Sequence, residues 1–119
     1  AQFLLTRYLL PLLKESSNAS IVLTSSTVGR VGRAYWGAYA VSKFATEGFM
    51  QVLAGELENT SNIRVNSLNP RATNTGMRRI AYPAETPTDN PAPADIMPAY
   101  LYLIGNDSSE VTGKAFDAR

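Results

Sequence analysis

The sequence predicts a parallel α/β sheet with helices packed on its faces. Hydrophobic periodicity alternates along the chain as helix, strand, helix, strand, loop, helix, strand, the order of βα units in a parallel sheet. The run SIVLTSS is short, β-branched and apolar enough for a strand covered on both sides. Three strands make a thin sheet, so the 119 residues are expected to be a piece of a larger one.

The first helix is expected in AQFLLTRYLLPLLKESS, where Phe3, Leu4, Leu9, Leu10, Leu12 and Leu13 recur at helical spacing. It reads as a core helix that Pro11, which donates no hydrogen bond, should bend or weaken. No Ser, Thr, Asp or Asn precedes it as a cap, and the chain opens on Ala1, so upstream sequence is expected. SIVLTSS follows as the first strand, and residues 27–37, rich in Gly and Arg, read as a loop. A second helix is expected from Ala38 to about Asn59, with Val41, Phe44, Ala45, Phe49, Val52, Leu53 and Leu57 facing inward. Gly48 and Gly55 lie on one side of it and cost about 1 kcal/mol each in a helix, which suggests a close packing partner.

Ile63–Leu68 is the second strand, closed by Asn69-Pro70. Residues 71–93 carry four of the seven prolines and no sustained periodicity, so they read as a long loop of the kind that forms functional lids. Ala94–Gly105 is a further helix, with Asp95 near its start and Ile96, Tyr100, Leu101 and Leu103 as apolar members. Gly113–Ala118 is the last strand. Repeats and low-complexity segments are absent.

Composition narrows the chemistry. Eleven basic residues against ten acidic ones give no electrostatic case for nucleic acid or an anionic membrane. The apolar stretch from Phe3 to Leu13 falls short of the ~20 residues a membrane span needs. No export signal is visible, and a cytoplasmic protein is expected. The sequence holds neither cysteine nor histidine, which excludes disulfides, thiol nucleophiles, His-based triads and Cys- or His-ligated metals. Acid–base work falls to Tyr, Lys, Asp or Glu, and no metal site is expected.

Tyr39 and Lys43 stand one turn apart on the second helix, with Cβ atoms expected about 5–6 Å apart. A phenol, with a reference pKa near 10, is a poor base at neutral pH. A neighbouring ammonium favours the phenolate and makes such a group usable for proton transfer. Ser26 ends the first strand, thirteen positions before Tyr39, at the carboxyl end beyond which parallel sheets bind ligands. Its hydroxyl is placed to hold a substrate oxygen. A tyrosine and a lysine at this spacing recur by chance as a surface pair. The ordered combination of strand-ending serines, Gly-containing loop and helix-opening YxxxK is far more specific.

That combination, in SSTVG, YAVSK, VNSLNP, TNTGM and ADIMPAYLYLIGNDSSEVTGKAF, resembles the short-chain dehydrogenase/reductase superfamily from end to end. The resemblance implies a partial Rossmann fold, the C-terminal half of a doubly wound parallel sheet with flanking helices. Residues 1–119 would form the C-terminal catalytic part of a single Rossmann-type domain, with the N-terminal cofactor-binding half outside this chain. The implied activity is NAD(P)-dependent interconversion of an alcohol and a carbonyl by hydride transfer. Ser26 matches the substrate-orienting serine, Tyr39 the catalytic tyrosine, and Lys43 the lysine that tunes the tyrosine and grips the nicotinamide ribose. Pro70 matches the proline of the turn beneath the nicotinamide, and Thr73 and Thr75 match cofactor-contacting positions, Thr75 better. The implied cofactor is NAD or NADP, the substrate a small alcohol or carbonyl compound, and the assembly a homodimer or homotetramer paired through the first two helices.

Two departures qualify the match. Arg71 stands where the family has glycine, and it either crowds the cofactor or points outward. The family's Gly-rich phosphate loop and NNAG segment are not in these residues, so the fragment alone is expected to be inactive. Two other functions compete: a superfamily relative kept for assembly or binding, and a nicotinamide-containing epimerase or dehydratase. Arg30, Arg33, Arg78 and Arg79 read as solvated loop charges rather than an attractor for acidic substrate. Tyr35, Trp36 and Tyr82 either line a substrate pocket or pack the loop on the helix, and Met77 reads as apolar filler.

Overall fold

The computed structural model describes all 119 residues. Its elements are α1 (Gln2–Lys14), β1 (Ala19–Thr24), α2 (Gly37–Leu57), β2 (Ile63–Asn69), α3 (Gly76–Ala81), α4 (Pro93–Ile104) and β3 (Ala115–Asp117), with single tight helical turns between some of them. The three strands form one parallel sheet in the order β1-β2-β3, with Ala19 opposite Ile63 and Ser67 opposite Ala115. The expected α/β architecture is present.

One core lies between α2 and the sheet. Met50, Leu53, Ala54 and Leu57 recur at helical spacing and meet Ala19, Ile21, Leu23, Ile63 and Val65, whose side chains share one face of β1 and β2. The face of β1 that points away is only half-buried. There α4 covers it: Ser20 Oγ donates to the Leu103 carbonyl at 2.7 Å, and the Thr24 and Tyr100 hydroxyls pair at 3.0 Å. Full cover on both faces belongs to β2 alone.

The expectations for helix faces need correction. Leu53 and Leu57 are buried and Phe49 packs on the core, but Val41, Phe44, Ala45 and Val52 are exposed. The buried set instead includes Thr46 and Glu47. An apolar residue count cannot tell two apolar faces of one helix apart. The second face includes Gly48 and Gly55, and nothing lies within 4 Å of where their Cβ atoms would stand. This chain supplies no close packing partner for them. Likewise α1 is no core helix: Leu10 and Leu13 touch the core, whereas Phe3, Leu4, Leu5, Tyr8, Leu9 and Leu12 are exposed. It also runs through Pro11, whose ring is on the exposed side, without ending.

Two local corrections have simple causes. The stretch 71–93 contains α3, too short to show periodicity, started by Thr75 Oγ1, which accepts from the Arg78 amide at 3.1 Å. The last strand begins at Ala115 rather than at Gly113, because Gly113 takes φ 68°, a turn conformation, while its amide donates to the Val65 carbonyl at 2.8 Å. No helix is long and apolar enough to cross a membrane.

Candidate active site

The carboxyl ends of β1 and β2, the loop after β1, the start of α2 and the segment from Pro70 through α3 enclose a cleft of about 1440 Å³. Ser26, Tyr39, Pro70, Thr73 and Thr75 all line it. Parallel strands point their carboxyl ends the same way, so residues distant in sequence converge there.

Lys43 sits behind that wall. Its Nζ donates to the Thr24 carbonyl at 2.9 Å and lies 5.7 Å from the centroid of the Tyr39 ring. The bond ties α2 to the end of β1, two residues before Ser26. Burial pushes the Lys43 amine below its ordinary value, because the low-dielectric surroundings disfavour the ammonium. A developing negative charge on the neighbouring phenol oxygen would stabilise that ammonium. Gly29 fixes the approach of loop to helix: a Cβ there would stand 2.8 Å from the Lys43 carbonyl oxygen. Ser26, Tyr39 and Lys43 are therefore held in one region by a short set of contacts.

Beneath the cleft runs a polar network that the sequence did not reveal. Arg30, from the loop after Ser26, donates through Nε to Glu47 Oε1 at 3.0 Å, through Nη1 to Asp117 Oδ1 at 3.0 Å and through Nη2 to the Phe116 carbonyl at 2.8 Å. Ser67 Oγ on β2 donates to Glu47 Oε2 at 2.7 Å. Burial opposes charge on Glu47, but the hydrogen bonds from Ser67 and Arg30 and the Arg30 charge help hold the carboxyl below the usual range. Arg30 is thus a structural tie from loop to helix and sheet, not a solvated charge. Glu47 lies one turn beyond Lys43, a spacing that marked it in principle. An acidic residue in an apolar helix gives no sign of whether it faces water.

The other arginines near the cleft also have partners. Arg71 takes φ 58°, the left-handed region that favours glycine, and its Nη2 donates to Asp117 Oδ2 at 3.1 Å. The guanidinium is drawn to the end of β3. Arg78 meets Glu85 through two bonds of 2.7 Å and stacks 3.7 Å from the Tyr82 ring centroid. Arg33 stands 5.2 Å from the Trp36 ring centroid, and Arg79 Nε donates to the Thr75 carbonyl at 3.5 Å. Tyr35, Trp36, Met77 and Tyr82 line the cleft, and Met77 is 70% exposed, so it is not filler. Trp36 packs on both Tyr39 and Tyr82, with centroids 5.7 and 6.1 Å apart, so both readings hold for Trp36 and Tyr82, whereas Tyr35 is fully exposed and packs on neither ring.

The residues present suit the nicotinamide end of a dinucleotide. The cleft exceeds the ~300–1,000 Å³ of an ordinary ligand pocket. Thr75 Oγ1 accepts from the Arg78 amide, which leaves its proton free to donate, whereas the Thr73 hydroxyl is buried and spends its proton on the Pro70 and Arg71 carbonyls at 3.3 Å.

Comparison with known proteins identifies the family. A family model described as short chain dehydrogenase matches residues 1–86, and the chain belongs to that family. It is 58% identical over 119 residues to the uncharacterized oxidoreductase YciK of Escherichia coli K12, covering 100% of this chain and 46% of that protein. A solved structure from Pseudomonas syringae superposes with a TM-score of 0.96 at 65% identity, over 98% of this chain and 47% of that one. Another, from Escherichia coli CFT073 and complexed with NADPH, gives a TM-score of 0.94 at 58% identity, over 98% of this chain and 48% of that one. The chain spans about half the length of the curated relatives it matches.

Proposed function

We propose that residues 1–119 are the C-terminal catalytic part of a Rossmann-type NAD(P)-dependent oxidoreductase that interconverts an alcohol and a carbonyl compound. The observation that carries this reading is the convergence of Ser26 and Tyr39 on one cleft, with the Lys43 amine behind the Tyr39 ring. The bound nicotinamide supplies the hydride acceptor or donor. In reduction, Tyr39 Oη gives its proton to the carbonyl oxygen as hydride reaches the carbon; in oxidation, it takes the proton from the alcohol. Ser26 Oγ donates a hydrogen bond to the same oxygen and holds it against Tyr39. Lys43 favours charge on the phenol oxygen as its proton leaves. Pro70 and Thr75 would help hold the nicotinamide end of the cofactor, with Thr73 contributing to the turn that carries them.

The assembly-only alternative drew support from Arg71. With its guanidinium bonded to Asp117, that residue no longer supplies a steric reason for lost turnover. The exposed apolar faces of α1 and α2 support a homodimer or homotetramer. The test of the activity is ketone-dependent oxidation of NADPH or NADH by the full-length protein. Consumption that requires the ketone is expected; its absence across neutral and charged ketones, with no nicotinamide bound on fluorescence titration, contradicts the reading.

A further inference from the structure

We infer that the cleft selects an uncharged substrate with a flat or bulky apolar ring, read by an aromatic wall of Trp36 and Tyr82. The inference rests on the oxidoreductase reading and extends it to substrate class. Four arginines and no carboxylate line the cleft, which on charge alone would suggest an anionic substrate. Each arginine, however, is already engaged. Arg71 is paired with Asp117, Arg78 with Glu85, Arg33 lies over Trp36, and Arg119 donates to the Ala72 carbonyl. Arg71 and Arg78 are thus neutralised by carboxylates, and Arg33 and Arg119, resting on a ring and a neutral carbonyl, are the only lining charges an anion could use without breaking an ion pair.

The lining is otherwise rich in aromatic side chains. The ring contacts run without a break from Tyr39 to Trp36 and from Trp36 to Tyr82, whose ring also meets the Arg78 guanidinium. This wall starts at the proposed proton donor, so a ring attached to the reacting carbon would lie along it. Met77 and Ile96 border the same cleft and add apolar surface. Offset and edge-to-face ring packing favours an aromatic ligand beyond its simple apolar area.

The test uses the full-length enzyme with three ketones: 1-indanone (neutral, ringed), 2-butanone (neutral, open-chain) and acetoacetate (anionic). Trp36 is the one tryptophan of these 119 residues, so its fluorescence also reports binding, with Trp36→Phe as the control for signal from elsewhere. Saturable, Trp36-dependent quenching by 1-indanone is expected, with a KM at least about tenfold below that of 2-butanone. Trp36→Ala should raise KM for 1-indanone about tenfold more than KM for 2-butanone, and Tyr82→Leu should act in the same direction if Trp36→Ala folds poorly. Preference for acetoacetate, or equal effects of both variants on the two neutral ketones, would overturn the substrate class and leave the oxidoreductase reading standing. Absence of Trp36-dependent quenching by 1-indanone would overturn it as well, whatever the turnover.

Discussion

Arg71 occupies a backbone conformation that costs an L residue about 1–2 kcal/mol, and it stays there with its amide donating to Asn69 Oδ1 at 3.0 Å and its guanidinium on Asp117. Glycine would remove the conformational cost but lose the ion pair, a half-exposed contact worth about 0–1 kcal/mol, and add freedom to the unfolded chain. Arg71→Gly is therefore expected to change stability by less than about 1 kcal/mol, read from the denaturant midpoint of the full-length protein. A loss of several kcal/mol would mean that Arg71 anchors the end of β3 far more strongly than its exposure implies. At this scale the sequence was most informative. Ser26, Tyr39 and Lys43 were legible because fixed spacing on one helix and a strand end leaves few places to put them. The direction in which Arg71 points was not, since it depends on Asp117, forty-six residues away and on another strand.

At the scale of elements, Glu47 joins the Ser26 loop, the Tyr39 helix and β2 through Arg30 and Ser67. Glu47→Gln keeps the shape but leaves Arg30 without that charge, and removing one partner of a buried pair costs about 3 kcal/mol. Because the folded Glu47 carboxyl titrates below its ordinary 4.5, its contribution is fully present above that value. It is lost as pH falls through the lowered value and more protons bind the unfolded chain. The stability difference between wild type and Glu47→Gln should therefore be constant from pH 7 to 5 and shrink below about pH 4, measured by urea unfolding across pH. A difference that grows on acidification would contradict the assignment. Element types were legible from periodicity, and α3 was hidden by its length. The inward face of α2 was misread because this helix is apolar on two sides, and only packing decides which side the sheet takes.

For the whole molecule, the outer faces of α1 and α2 leave Phe3, Leu12, Phe44 and Val52 in water, more apolar surface than an isolated domain tolerates comfortably. Gly48 and Gly55, open on the same side, would let a second backbone approach closely. Val52→Glu is expected to shift the full-length protein toward monomer in light scattering, and an unchanged oligomer would place the interface elsewhere. The spacing of Gly48 and Gly55 suggested a close partner, but periodicity reports that a face is apolar and not what covers it. The central claim, proton transfer by Tyr39, is tested most directly by the turnover of Tyr39→Phe in the full-length enzyme. A fall in kcat of about 10²–10⁴ with nicotinamide binding retained is predicted; turnover at the wild-type rate would contradict it.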